Sequence, residues 1–303
     1  MNIGVIGPGR VGTGLARLLA DRGYTVRSVS GKTRARAEIL AAALPQCEAT
    51  SPQAVADTCD LVFITTPDNV IASVAETLEW RREQGVVHCS GALSAATLAA
   101  VAQYGAVPGA FHPLQTLPDA QAAFANLPGS FIGIEAEEPL LTQLKEIATS
   151  LECTWGYVPA GARPAYHAAA VLVSNYTVAL AHAGVELWQA IGKSEQEALH
   201  ALLPLLQGTV HNLRRLGPAA ALTGPVARGD WATVQQNLAA IDENAPQHTF
   251  VYAAMALAMI YNNLAAIDGN DGAFGKDCAV DKTALERELQ ALLSATLKNR
   301  GTS

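Results

Sequence analysis

Three glycines near the start of the chain have the type and spacing that bind phosphate groups. An apolar stretch over residues 1–6 leads into a G-x-G-x-x-G pattern, and an amphipathic helical pattern follows. Such glycines let the backbone approach a dinucleotide pyrophosphate, and the helix N-terminus adds unpaired N–H groups and a partial positive charge. A merely structural glycine turn is the alternative. The predicted dinucleotide-binding residues of the turn are Gly7, Pro8, Gly9, Arg10, Val11 and Gly12.

The end of the second predicted strand indicates which dinucleotide would bind. An acidic residue about 20 positions after the glycines would bind the ribose 2′-hydroxyl of NAD, and this chain has none there. Residues 30–36 read SGKTRAR instead, and arginine matches a 2′-phosphate with bidentate hydrogen bonds. We therefore predict NADP(H) as the cofactor, bound by Ser30, Lys32 and Arg34. The alternative is that these cations lie on a solvated face of the next helix.

Polar and small residues at the ends of two later predicted strands extend the predicted cofactor site. Ligands of doubly wound parallel sheets bind beyond the carboxyl ends of the strands. The residues at these ends are Thr65, Thr66, Pro67, Ser90 and Gly91.

Candidate catalytic groups lie on a helix predicted over residues 163–191 and at one further strand end. At about 100° per residue, Ser174 lies about 20° from His167, and Asn175 lies about 80° from it, so one broad cleft could contain all three. We predict that His167 supplies a proton and that Ser174 or Asn175 holds the group that receives it. A hydrogen-bonded core histidine is the alternative. His112, beside Pro113 in a predicted loop, is a second candidate acid or base.

Two arginines could bind a substrate carboxylate through paired hydrogen bonds. Arg163 begins the long predicted helix, and Arg228 lies in a loop over residues 222–230 that also offers the hydroxyl of Thr223. The alternative for this loop is a helix-capping turn, with Asp230 as the cap of the next helix. The histidines and cysteines lack metal-ligand spacing, so no metal site is predicted.

The elements that must position these residues change character halfway along the chain. Apolar strands alternate with helices as far as residue 158, which predicts an α/β, doubly wound (Rossmann) parallel sheet. Alanine- and leucine-rich helical patterns follow and predict an all-α C-terminal domain. We expect an NADP-binding domain over residues 1–160 and a substrate and dimerisation domain over residues 161–303. The helices predicted in the second domain cover residues 163–191, 194–216, 231–244, 245–267 and 282–298.

Composition narrows the possible partners and compartment. A formal net charge of −7 over 303 residues argues against nucleic acid as a partner. The five cysteines are scattered and include no C-x-x-C pair, which predicts reduced thiols in a cytoplasm. The first predicted strand starts at residue 2 and no apolar run is long enough to span a bilayer, so no membrane partner is expected. Apolar helices favour a homodimer, although a thick single core would have the same composition.

Several segments resemble a known bacterial family. They are residues 88–91 (HCSG), 112–116 (HPLQT), 166–175 and 222–230. Across nearly the whole chain, the sequence is similar to Rossmann-like proteins joined to a helical domain of unknown function. More distantly it resembles β-hydroxyacid dehydrogenases, ketopantoate reductases and pyrroline-carboxylate reductases. This resemblance implies an NADP- or NAD-linked and usually dimeric protein that binds its substrate between two domains.

One departure from these enzymes concerns the catalytic lysine. The dehydrogenase and ketopantoate branches place a lysine near the start of the first long helix and an asparagine one or two turns later. Asn175 could match the asparagine, but no lysine occurs between Lys145 and Lys193. Arg163 cannot replace it because arginine does not give up its proton in proteins, so His167 is the nearest titratable substitute.

These observations predict an NADP-dependent oxidoreductase. It would transfer hydride between NADPH and a carbonyl or imine of a small, carboxylate-bearing metabolite. The missing lysine supports an alternative of another class, a non-catalytic NADP(H)-binding sensor or partner protein. A third possibility is an enzyme that pairs the nicotinamide with a deazaflavin.

Overall fold

The structure, a computed structural model, describes residues 1–261 together with residues 287, 290 and 291. The chain forms two compact units, Met1–Asn175 and a second unit that begins at Tyr176. The first unit is an α/β domain, and the described part of the second is helical. This arrangement confirms the predicted fold class, whereas the predicted domain boundary between residues 160 and 161 stays a prediction.

One sheet of eight strands forms the centre of the first unit. Its strands are β1 (Asn2–Ile6), β2 (Thr25–Ser30), β3 (Glu48–Ala49), β4 (Leu61–Ile64), β5 (Gly85–His88), β6 (Val107–Leu114), β7 (Phe131–Ala136) and β8 (Thr154–Tyr157). Their order is β3-β2-β1-β4-β5-β6-β7-β8, so the chain winds outwards in both directions from the neighbours β1 and β4. A crevice for a ligand is expected at the carboxyl ends of those two strands. The glycine turn follows β1, and Thr65 and Thr66 follow β4, so both lie at this switch point.

The sixth and seventh strands differ from the prediction. The sequence pattern predicts a strand over residues 106–111 in a parallel sheet, whereas β6 continues through His112 and pairs antiparallel with β7. The connection between them contains only a seven-residue helix, α5 (Ala120–Asn126). Such a helix is about 10 Å long and too short to carry the chain back along the sheet. His112 therefore lies inside a strand and not in a loop.

Helices of the first unit pack apolar residues against the sheet. On α1, residues Leu15, Leu18 and Leu19 are buried in the main core. Gly23 follows the end of this helix with φ +84°, the left-handed conformation that commonly ends a helix and favours glycine. The helices are α1 (Arg10–Asp21), α2 (Arg34–Ala42), α3 (Pro52–Thr58), α4 (Asp68–Thr77), α5, α6 (Leu140–Ser150) and α7 (Arg163–Ala170), with a 3₁₀ segment at Ala95–Tyr104.

A π-helical turn interrupts the long helix predicted over residues 163–191. Helix α7 ends at Ala170, the π turn covers Val171–Asn175, and α8 (Tyr176–Ala190) follows. Because a π turn is wider than an α turn, an increment of about 100° per residue does not apply to Ser174 and Asn175. Turns of this kind occur frequently at functional sites.

The second unit contains α8, α9 (Glu195–Ala221), α10 (Pro225–Arg228), α11 (Trp231–Asn244) and α12 (Thr249–Tyr261). Helix α11 has the predicted bounds, and Asp230 accepts a hydrogen bond from the Thr233 N–H, which confirms it as the cap. In α9, Gly217 has φ +73° and breaks the helical geometry where an end is predicted. The helix predicted over residues 245–267 starts as a 3₁₀ turn and is described only to residue 261. Nearly all of the helix predicted over residues 282–298 lies outside the described residues.

One helical stretch has the length and composition of a membrane span. It covers Ala160–Ala190, and 11% of its most apolar window is buried. Apolar helices of soluble proteins meet the same criterion, so the expected lack of a membrane partner stays a prediction.

Candidate functional site

The glycine turn leaves the N-terminus of α1 open. A Cβ atom on Gly12 would lie 2.3 Å from Oγ1 of Thr65 and 2.4 Å from the carbonyl oxygen of Gly7, so a side chain does not fit there. Gly7 itself has φ +108°, which favours glycine. A Cβ atom on Gly9 would meet nothing closer than 4.0 Å, and no side chain caps the helix. The open space at Gly9 therefore adjoins the unpaired N–H groups at the start of α1, where an anion could bind.

Two threonines connect β4 with this turn. Oγ1 of Thr65 donates a 2.6 Å hydrogen bond to the carbonyl oxygen of Gly7, so Thr65 supports the shape of the turn. Oγ1 of Thr66 is buried and has no hydrogen-bond partner among the described residues. An unpaired buried hydroxyl is unfavourable, and a ligand at the switch point would satisfy it. Pro67, the third residue predicted here, directly precedes α4 and is exposed.

The end of β2 lies against the glycine turn. The Gly7 N–H donates to the carbonyl oxygen of Ser30 at 2.8 Å, and a Cβ on Gly31 would lie 2.6 Å from Cδ of Pro8. Lys32 is exposed, and Arg34 begins α2 with its side chain 84% exposed. Nε of Arg34 donates to Glu38 at 2.8 Å. Two cations thus follow a strand end that contacts the turn, and their role in binding a 2′-phosphate stays a prediction.

Ser90 is a junction of hydrogen bonds after β5. Its Oγ donates to Oδ2 of Asp68 at 2.7 Å and accepts from the N–H groups of Ala92 and Leu93, each at 3.2 Å. The hydroxyl thereby holds this loop to the first turn of α4, and its role in cofactor binding stays a prediction. The sequence gives no signal for Asp68, because its partner is 22 residues away.

Arg163 carries a buried charge. Its side chain is 1% exposed, Nε donates to Glu135 at 2.9 Å, and Nη1 donates to the carbonyl oxygen of Ser90 at 3.3 Å. A buried guanidinium needs such a partner, and Arg163 binds the carboxylate of Glu135. Its Nη2 is buried without a hydrogen-bond partner among the described residues, so a role for Arg163 in binding a substrate carboxylate stays a prediction. Glu135 lies on β7, and sequence spacing does not reveal a pair between β7 and α7.

The residues before Ser90 have structural roles. Nδ1 of His88 accepts from the Ser90 N–H at 3.2 Å, so Nε2 donates to the carbonyl oxygen of Ser94 at 3.0 Å. Burial lowers the pKa of His88 and keeps it neutral. Burial also raises the pKa of the Cys89 thiol to about 12, which makes it a poor nucleophile. Among the described residues, no group of three His, Cys, Asp or Glu is arranged to hold a metal ion.

His112, Tyr166 and His167 meet beside Gly91. Nδ1 of His112 lies 2.9 Å from the Tyr166 hydroxyl, and the rings of His112 and His167 are 6.4 Å apart between centroids. Nδ1 of His167 is buried without a hydrogen-bond partner in the described part of the chain. Burial, followed by the charge of Arg163, lowers the pKa of His112 to about 4. His112 is therefore a neutral imidazole at neutral pH.

A pocket of about 790 Å³ in the first unit brings these residues together. Its lining includes Arg10 from the glycine turn, both histidines and Tyr166. Ser174 and Asn175, the other predicted catalytic residues, also line it because the π turn brings them to this wall. The remaining lining residues are Leu114, Gln115, Thr116, Leu117, Pro118, Ala169, Ala170 and Val173.

The second unit contains the other predicted substrate residues. Thr223 lines a mostly apolar pocket of about 410 Å³, and Arg228 is an exposed residue at the end of α10. Their roles in substrate binding stay predictions. Glu186 lies on α8, accepts a 3.0 Å hydrogen bond from Gln247 and binds Nε2 of His248. The sequence does not indicate this cluster, whose partners are more than 60 residues apart.

Comparison with known families agrees with this architecture. A model of the Rossmann-like domain matches residues 1–113, and a model of a domain of unknown function, DUF2520, matches residues 130–259. The chain therefore carries a Rossmann-like domain followed by a DUF2520 domain, which confirms the resemblance found in the sequence. None of the curated proteins matches the chain.

Solved structures share the fold. BF3122 from Bacteroides fragilis, provisionally assigned as an NADP oxidoreductase, is 24% identical with a TM-score of 0.70, over 85% of this chain and 97% of its own. TM1727 from Thermotoga maritima is 25% identical with a TM-score of 0.66, over 87% and 98%. A reductive aminase from Aspergillus terreus, in complex with NADPH and ethyl-5-oxohexanoate, is 17% identical with a TM-score of 0.66, over 95% and 98%.

Proposed function

We propose that the chain is an NADP(H)-dependent oxidoreductase. It would transfer hydride between NADPH and a carbonyl or imine of a small metabolite that bears a carboxylate. The observation that carries this proposal is the pocket of the first unit, whose lining includes both Arg10 of the glycine turn and the pair of histidines. A group bound at the turn would therefore lie next to side chains that can donate or accept a proton.

The switch point fits the phosphates of a dinucleotide. The open space at Gly9, the uncapped N-terminus of α1 and the unpaired hydroxyl of Thr66 all favour an anionic ligand there. Lys32 and Arg34 favour the 2′-phosphate of NADP(H) over the free hydroxyl of NAD(H). The relatives whose descriptions mention NADP or NADPH support the same cofactor.

The chain's own residues would supply the proton and hold the substrate. When bound, the nicotinamide would supply or accept the hydride. His167 would give a proton to the substrate oxygen or nitrogen, and Ser174 or Asn175 would hold that atom by a hydrogen bond. Arg163 is the candidate of the first unit for the substrate carboxylate, and the roles of Arg228 and Thr223, in the second unit, stay predictions.

The first test is a fluorescence titration of the purified protein with NADPH and NADH. Lys32→Ala combined with Arg34→Ala should weaken NADPH binding by at least about ten-fold, since each lost contact to a phosphate removes a charge-assisted hydrogen bond of about 1.5–3 kcal/mol. NADH binding should change little. Arg82→Ala, at a side chain 85% exposed, is the matched control.

Tighter binding of NADH than of NADPH would refute the assignment of Lys32 and Arg34. Binding of neither nucleotide at millimolar concentration would refute the oxidoreductase. After a positive titration, a screen of small oxo acids and cyclic imines for loss of NADPH absorbance would identify the substrate class.

A non-catalytic NADP(H) sensor is the second candidate, and the absence of a lysine between residues 145 and 193 favours it. It predicts NADPH binding without turnover of any carbonyl or imine. We also propose a homodimer, because described helices of the second unit expose many apolar side chains. The scattered cysteines, which include no C-x-x-C pair, support a cytoplasmic location.

A further inference from the structure

Tyr166, His112 and His167 form a row of side chains, of which only His167 would contact the substrate. Tyr166 and His167 lie on α7 and His112 lies on β6, so the row belongs to the first unit. The Tyr166 hydroxyl and Nδ1 of His112 are 2.9 Å apart. On its other side, the His112 ring lies edge-on to that of His167.

Two glycines make room for this row. A Cβ atom on Gly133, which pairs with His112 across β6 and β7, would lie 2.7 Å from the Tyr166 hydroxyl oxygen. A Cβ atom on Gly91 would lie 2.7 Å from Nε2 of His112 and 2.9 Å from Nδ1 of His167. All three distances are shorter than real Cβ contacts, so any other residue at either position would displace the row. The two distances from Gly91 also show that Nε2 of His112 and Nδ1 of His167 border the same small space beside this glycine.

The proton positions depend on which atom donates in the contact between Tyr166 and His112. The Tyr166 hydroxyl can donate to Nδ1 of His112 across the 2.9 Å between them. A neutral imidazole that accepts at Nδ1 carries its proton on Nε2. That proton then points towards the space shared with Nδ1 of His167, which lacks a hydrogen-bond partner among described residues.

We propose that Tyr166 and His112 form a proton relay that recharges His167, in place of the lysine that this chain lacks. The relay rests on the proposed oxidoreductase function. Within it, His167 is the catalytic acid, and His112 and Tyr166 act through it as positioning and relay residues.

The relay balances as follows. Hydride addition to the substrate carbon breaks the π bond to oxygen, and His167 gives the proton on Nε2 to that oxygen. When substrate binding brings the two rings within hydrogen-bond distance, Nδ1 of His167 takes the proton of Nε2 of His112. Nδ1 of His112 then takes the Tyr166 hydroxyl proton. Solvent in the pocket reprotonates Tyr166, and water that enters as the product leaves restores the ring tautomers. The net supply would be one hydride from bound NADPH, which carries a hydrogen nucleus and two electrons, and one proton from solvent.

The charges around His112 favour such a neutral relay over an imidazolium donor. Burial is the largest cause of the lowered pKa of His112, and the facing groups Arg163, His167, Asp68 and His88 contribute. Burial likewise raises the pKa of Tyr166 to about 12, so its hydroxyl keeps its proton until a base takes it. With a pKa of about 4, His112 is neutral at neutral pH, so it would accept a proton on one ring nitrogen as it gives one up from the other.

Nitrogen NMR of histidine-labelled full-length protein tests the relay without a substrate. His112, assigned with the His112→Gln variant, should carry its proton on Nε2 and remain neutral down to about pH 5. Tyr166→Phe should shift the tautomer balance of His112, while Tyr157→Phe, at an exposed tyrosine of β8, should leave it unchanged. A proton on Nδ1 in the wild type, or an unchanged balance in Tyr166→Phe, would overturn the relay.

Turnover of NADPH with the oxo acid found by the screen tests its catalytic role. Tyr166→Phe should lower kcat at least about ten-fold, within the range of general acid catalysis, and leave KM and the NADPH dissociation constant unchanged. Unaltered kcat in a variant that binds NADPH normally would overturn the relay alone. A wild-type protein that binds no NADPH would instead overturn the proposed function, and the NMR result would still decide the proton positions.

Discussion

At the scale of single residues, the buried ion pair of Arg163 and Glu135 holds together the elements that carry the candidate site. Arg163 begins α7, its partner lies on β7, and its Nη1 holds the carbonyl oxygen of Ser90. The helix that carries Tyr166 and His167 is thus fixed to the sheet by one guanidinium. Burial and, after it, the charge of Arg163 lower the pKa of His112, so the pair contributes to both the geometry and the electrostatics of the pocket.

Glu135→Gln should therefore destabilise the first unit. Removing one partner of a buried ion pair leaves an uncompensated charge and costs about 3–5 kcal/mol, measured as the free energy of unfolding in urea. Glu48→Gln is the control, because the pair of Arg27 and Glu48 is exposed and exposed pairs contribute little. Similar losses in both variants would show that Glu135 does not compensate the charge of Arg163.

At the scale of elements, the glycine turn was predictable because the spacing of Gly7, Gly9 and Gly12 is set by local backbone geometry. Helix α11 and its cap at Asp230 were predictable for the same reason. The antiparallel pairing of β6 with β7 was not, since it depends on how far a short helix can carry the chain. Local patterns likewise gave no sign of the π turn at Val171–Asn175 or of pairs between distant elements.

Two glycine substitutions should have opposite effects on stability. Gly12→Ala should lower the free energy of unfolding and weaken NADPH binding, because its methyl group would meet Thr65 and Gly7 at 2.3 and 2.4 Å. Gly208→Ala, in α9 where a methyl group would meet nothing within 4 Å, should raise the free energy by up to about 1 kcal/mol. Urea unfolding and a fluorescence titration measure these effects. Gly12→Ala with normal stability and NADPH affinity would contradict the close packing of the turn on β4.

At the scale of the whole molecule, the part of the chain that the structure describes leaves most of α9 exposed. Of its 27 residues only Ala198 is buried, and five of its large apolar side chains are at least 40% exposed. They are Leu203, Leu205, Val210, Leu213 and Leu216. Monomeric soluble proteins seldom expose contiguous apolar surface of this kind, and a two-fold dimer would bury the same surface on both subunits.

Sedimentation velocity should therefore show a particle of about twice the mass of the 31.6 kDa chain. Leu205→Glu, at a side chain 68% exposed, should shift the protein towards the monomer, because a charge in an apolar interface loses its hydration without gaining a partner. Ile39→Glu, at a position of α2 that is 73% exposed, should leave the dimer intact. A wild-type protein that sediments as a monomer at micromolar concentration would contradict the homodimer. Loss of the dimer in both variants would place the interface elsewhere than on α9.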